Sequence, residues 1–187
     1  AWPRRLIPLM VDPPEHLKYR AIIASAFSPK AIDALEKDVI EVANGLIDGF
    51  AKDGQVEFMH EFARVFPGII FMRLMGLPLD MKDQFFDWEE KFFHGGTDDD
   101  KKQVGLEIHQ YLIKLIERRR RKREDDLVSR LIDSEVDGKP ADDETIQDFC
   151  FFLYIAGLDT VNGGLGHIFK YLAENPKEQQ WLRENPD

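Results

Sequence analysis

Between Asp142 and Pro176 the chain runs for some thirty residues without a proline, and in its middle, from Phe149 to Leu158, it is apolar on every side. As a single helix this stretch is about 45 Å long. A helix apolar all round cannot lie on a surface, so it must pass through the middle of a core with the rest of the chain arranged about it. Asp142, Asp143 and Glu144 put negative charge where a helix N-terminus favours it. Two residues fit such a helix poorly. Gly157 in mid-helix costs about 1 kcal/mol relative to alanine, and Asp159 is costly to bury unless paired or solvated. One explanation is a glycine for close helix packing and an aspartate bonded to a neighbouring helix. The other is a widened turn that makes room for a small ligand, with Asp159 and Thr160 beside it as a proton-conducting pair. Phe152, Ile155, Ala156, Asp159 and Thr160 fall on neighbouring turns of one face, as a pocket wall requires.

The remainder reads as helix after helix. Asp12, Pro13 and Glu15 form a helix start, and that helix is expected to reach about Phe27. Ser28 and Pro29 open the next, with Ile32, Leu35, Val39, Val42, Leu46 and Phe50 on one stripe and Gly54 closing it. Residues 60–75 give an apolar helix ended by Gly76 and Pro78, with Pro67 as a kink. Helices follow over "LDMKDQFFDWEEKFFH" and from Asp99 into "RRRRKR" at 118–123, which reads as a solvated helix end because "EDD" follows it. "DDLVSRLIDSEV" is short and helical and "DGKP" a turn. With no repeat or linker, the chain reads as one all-α unit over 1–187.

The chemistry of the whole chain excludes several classes. Its 35 acidic and 25 basic side chains give a net charge of −10, which repels nucleic acid and an anionic membrane. A single cysteine, Cys150, forms no internal disulfide, so a reducing, cytoplasmic compartment is expected, and Cys150 itself reads as an inert core thiol. The apolar run stops at Asp159, short of the ~20 residues that span a bilayer. Glu57-x-x-His60 has the spacing of one di-iron helix but lacks its partners. His94, His109 and His167 are scattered and read as ordinary polar groups. Phe85, Phe86, Trp88, Phe92 and Phe93 read as core.

"AGLDT" in a long helix, approached through "DDLVSRLIDSEVDGKPADDETIQDFCFFLYI", resembles the central helix of the cytochrome P-450 monooxygenases of the soluble bacterial kind. "DPPEHLKYR" followed by "AFSP" is similar to that family's haem-gripping helix, and the motifs stand in the family's order. Within the family, "IPLMVDPPEH", "FPGIIFMRLMGLP" and "GLDTVNGGL" are most similar to the camphor hydroxylase type. The resemblance implies an iron-containing haem (heme) as cofactor, with His16 and Arg20 on its propionates, Phe27 against the porphyrin, and Ala156 and Gly157 forming the groove where dioxygen sits. It implies catalytic roles for Thr160, hydrogen-bonding the oxygen substrate, and for Asp159, relaying the protons that drive O–O cleavage. Phe152 and Ile155 then face the substrate, and the aromatic cluster at 85–93 forms a lid over an apolar channel. In the family a cysteine loop near the C-terminus holds the iron. No such loop stands in these residues, so the chain looks like the middle part of the family's domain, and no metal ligand is expected within it.

Two functions follow. One is a haem-thiolate oxidoreductase that hydroxylates a small hydrophobic molecule with dioxygen and a ferredoxin-type electron donor, this chain supplying the distal wall and being incompetent alone. The other is a non-catalytic helical module of the same ancestry that binds an apolar ligand or a partner helix without haem.

Overall fold

The computed structural model describes residues 6–24 and 26–186, and the expected unit over 1–187 is described within those limits. Helix α1 spans Glu15–Ala24. It starts later than Asp12 because Pro13 precedes Pro14, and a residue before proline is steered away from helical geometry. Ser28 caps α2 (Pro29–Asp33), its hydroxyl accepting from the Ala31 N–H at 3.4 Å. The expected single helix beyond it is two: the Leu35 N–H bonds Ile32, three residues back, and this tightened turn separates α2 from α3 (Glu36–Phe50). A π-helical turn at Met59–Ala63 leads into α4 (Val65–Met75). Pro67 lies in the first turn of α4, where a missing N–H breaks no bond, so the irregularity precedes the proline.

Gly76, left-handed at φ 69°, ends α4. A 3₁₀ turn, Leu79–Met81, precedes α5 (Lys82–Phe93). Thr97 and Asp100 cap α6 (Asp98–Arg121) reciprocally, and Asp126 caps α7 (Leu127–Ile132). The expected turn at "DGKP" is the tip of a small antiparallel hairpin, β1 (Glu135–Val136) with β2 (Lys139–Pro140), turned by Asp137 and Gly138 at φ 52° and 75°. The central helix α8 spans Asp143–Glu174, as the sequence predicts, and α9 spans Pro176–Glu184.

The N-terminal half of α8 is the axis of the core. Phe149, Cys150, Phe151 and Tyr154 are buried there against α4, α5, α6 and α7. Phe92 meets Phe151 edge-on at 5.8 Å between ring centroids, Phe85 meets Tyr111 at 5.1 Å, and Tyr154 donates its hydroxyl hydrogen to the Phe85 carbonyl at 2.7 Å. The aromatics of α5 therefore fasten it to α8. Beyond Leu158 the surroundings change: Thr160 and Val161 are exposed, as are Ile168, Phe169 and Tyr171. The expected buried helix is thus buried over its first half. By length and composition α8 alone among the described residues could cross a membrane, but its most apolar turns are packed inside this core.

The basic run at 118–123 is more than a solvated helix end. Arg119 is buried, bonded to Asp126 and donating to the Gly76 carbonyl at 2.9 Å, while Arg120 and Arg123 pair with Asp143 and Asp133. One guanidinium thereby joins the ends of α4 and α6 to the start of α7.

Candidate active site

α8 carries Ala156, Gly157, Asp159 and Thr160 to the point where it leaves the core. The Thr160 hydroxyl donates to the Ala156 carbonyl at 2.9 Å, one turn back, the back-bond a mid-helix threonine makes when its backbone acceptor is in reach. A side-chain carbon added at Gly157 would collide with the Phe71 ring of α4. Close helix packing therefore accounts for this glycine, and α8 stays α-helical throughout without the widened turn. Ile155 is buried in the core, and Phe152 is partly buried against it.

Asp159, with 34% of its side chain exposed, faces the C-terminal end of α5, where His94 Nε2 lies 3.7 Å from its Oδ1. Glu89, one turn earlier on α5, is buried at 3% exposure. Its carboxylate engages Arg64 Nη2 at 3.1 Å, and the same guanidinium donates to the Phe86 carbonyl at 2.6 Å and lies 3.5 Å from Glu90. Burial pushes the Glu89 carboxyl above the usual carboxylate range against the pull of Arg64, and Asp159 and Glu90 add to the rise. Sequence reasoning left His94 among the scattered histidines and missed Glu89. The available signal was Glu89 itself, placed four residues after Phe85 and three before Phe92 on the apolar face of an amphipathic helix.

His16 and Arg20 lie one turn apart on α1, half-buried and exposed respectively, and Phe27 is 43% exposed just after it. Tyr19, between them, packs on Phe149 of α8 at 6.3 Å. Among the described residues no hydrogen bond, ion pair or ring contact joins His16, Arg20 or Phe27 to Asp159 or Thr160. A haem fits what is present. Arg20 and His16 are unpaired among the described residues and offer two donors at i,i+4. Just beyond Thr160, α8 presents two glycines, Gly163 and Gly164, with nothing within 4 Å of their side-chain positions. Cys150 does not fit as a thiolate ligand, because it is fully buried and burial pushes its thiol far above the usual range.

A rod-like central helix, with its polar pair at the core boundary and an aromatic helix clamped against it, defines an all-α architecture built around one long helix. The chain belongs to the cytochrome P450 family, whose sequence profile matches residues 82–187. It is 31% identical over 179 residues to the Vitamin D(3) 25-hydroxylase of Pseudonocardia autotrophica, covering 95% of this chain and 44% of that protein. It is also 31% identical over 181 residues to the polyketide biosynthesis cytochrome P450 PksS of Bacillus subtilis, covering 96% of this chain and 45% of that one. The solved PksS structure superposes with a TM-score of 0.90 over 95% of this chain and 46% of its own, at 31% identity. That of CYP101J2 superposes with a TM-score of 0.87 over 97% of this chain and 45% of its own, at 34% identity. The chain thus spans about half the length of the relatives it matches. The family's cofactor is haem.

Proposed function

We propose that this chain forms the distal wall of a cytoplasmic haem-thiolate monooxygenase that hydroxylates a small hydrophobic molecule using dioxygen and electrons from a ferredoxin-type protein. One observation carries the reading. Asp159 and Thr160 are adjacent polar residues where α8 leaves the core, the Thr160 hydroxyl held by the Ala156 carbonyl at 2.9 Å and Asp159 turned to His94 on α5. The similarity to a relative named Vitamin D(3) 25-hydroxylase supports an apolar substrate.

In this reading His16 and Arg20 hold the haem propionates by charge-assisted hydrogen bonds, and Phe27 lies against the porphyrin. Ala156 would leave room for a diatomic ligand beside Gly157, whose own side-chain space is taken by Phe71, while Phe152 and Ile155 would line the substrate side. Haem with a thiolate ligand, when bound, supplies oxygen binding and the electron push that favours O–O cleavage. Because the Thr160 hydroxyl hydrogen is committed to Ala156, its lone pairs are left for the open side, where it accepts a hydrogen bond and orients the donor. Asp159 carries protons at its Oδ1 between the solvent side and Thr160, being neither fully buried nor fully exposed. The aromatics of α5 exclude water from the substrate.

The test is coupling in the haem-loaded protein. Thr160→Ala is expected to keep substrate binding and NADH consumption near those of the parent while diverting electrons to hydrogen peroxide, so that product formed per NADH falls. An equal yield removes Thr160 from the mechanism. Asp159→Asn keeps the shape but not the proton carrier and is expected to slow turnover about 10²-fold. An unchanged rate refutes the relay.

A further inference from the structure

We propose that Glu89, His94 and Asp159 form a binding site for a borderline divalent cation, Zn²⁺ being the fitting probe, which clips the C-terminal end of α5 to α8. Each residue offers one donor atom, and the three donors lie within 4.8 Å of one another. One imidazole and two carboxylates make a three-residue set suited to Zn²⁺, with a fourth position left for water. Tetrahedral binding at about 2.0–2.2 Å brings donors to roughly 3.4 Å apart. His94 and Asp159 are nearly there at 3.7 Å. The remaining contraction, from at most 4.8 Å, is shared among the three side chains, of which His94 at 56% and Asp159 at 34% exposure have the most freedom to adjust.

Charge favours an ion here. Glu89, Glu90 and Asp159 bring three carboxylates together, and among the described residues the only guanidinium or ammonium paired with them is that of Arg64, shared by Glu89 and Glu90. A divalent cation offsets the excess. Arg64 need not be displaced, since it engages Glu89 through one oxygen and keeps the Phe86 carbonyl and Glu90 as partners. Glu89 is buried at 3% exposure, so a cation beside its carboxylate supplies a partner that water there does not. With the ion in place Asp159 is no longer able to carry protons, so bound metal inhibits turnover; this last consequence rests on the proton-relay reading above, whereas the binding does not.

Equilibrium dialysis of the haem-loaded protein against ZnCl₂ tests the site directly. A Zn²⁺ ion per chain is expected that His94→Ala weakens at least about 10-fold, that Glu89→Gln weakens likewise, and that His60→Ala, which removes none of the three donors, leaves in place. His94 is exposed, so its replacement does not threaten folding. Zn²⁺ bound as tightly by His94→Ala as by the parent overturns the site, as does the absence of any ion sensitive to these substitutions. Dialysis reads binding without turnover, so the cation site can fail while the coupling result for Thr160 stands, and the reverse.

Discussion

The ring of Phe71 occupies the space that a side chain at Gly157 would need. Two effects oppose each other in Gly157→Ala. Alanine gains about 1 kcal/mol in helix propensity, while a methyl group forced against a packed ring costs about 1–3 kcal/mol. The ring is buried at the α4–α8 contact and has little room to retreat, so the clash wins. Gly157→Ala is expected to lower the thermal midpoint. In a Phe71→Leu background, where the obstructing ring is gone, the same substitution is expected to be neutral or stabilising. A stabilised single variant would show that α4 yields, and that the glycine is kept for something other than packing. The same contact explains why the glycine looked ambiguous in sequence. A missing side chain is equally required by a close neighbour or by a ligand, and only the position of Phe71, more than eighty residues away in the chain, distinguishes them.

At the scale of the element, the caps at Ser28 and Asp142 were readable, whereas the start expected at Asp12 and the interruptions were not. Ser28-Pro29 and the acids at 142–144 carry their own chemistry for starting a helix, and α2 and α8 begin where that chemistry puts them. The turn at Leu35, the π-helical turn before Pro67 and the pairing of His94 with Asp159 depend on tertiary neighbours or on small changes in hydrogen-bond register, which leave no local signature. A readable cap also makes a readable prediction. The Asp142 carboxylate accepts the Thr145 N–H at 2.7 Å, and this bond to the backbone holds its carboxyl below the usual range. A carboxyl with a lower pKa folded than unfolded contributes stability above its unfolded value and loses it as pH falls through its folded value. Asp142→Ala is therefore expected to cost about 1 kcal/mol at neutral pH. The gap from the parent should close as the solution is taken below the ordinary aspartate range, as followed by thermal melts across pH. A gap that persists in acid would assign the loss to packing.

Across the whole molecule, the family membership was legible because two motifs stand in order at opposite ends of the chain, one on α1 and one on α8. The proposed anchor tests whether both ends serve one cofactor. His16→Ala and Arg20→Ala each remove a charged or hydrogen-bonded contact of about 1.5–3 kcal/mol, so the double variant is expected to retain markedly less haem, measured as haem per protein after purification. Occupancy equal to the parent would make the pair ordinary surface. A last consequence belongs to the change of surroundings along α8. Its backbone hydrogen bonds run unbroken from Asp143 to Glu174, yet side chains are packed in the core before Leu158 and largely open to solvent after Thr160. A single rod therefore keeps two clocks. In native-state deuterium labelling, the amides of Phe149 to Leu158 should exchange only when the entire fold opens, while those beyond Gly164 escape through local fraying that leaves the rest intact. The boundary between slow and fast should fall within a turn of Asp159, so that the residues proposed to move protons sit where the helix passes from rigid to yielding.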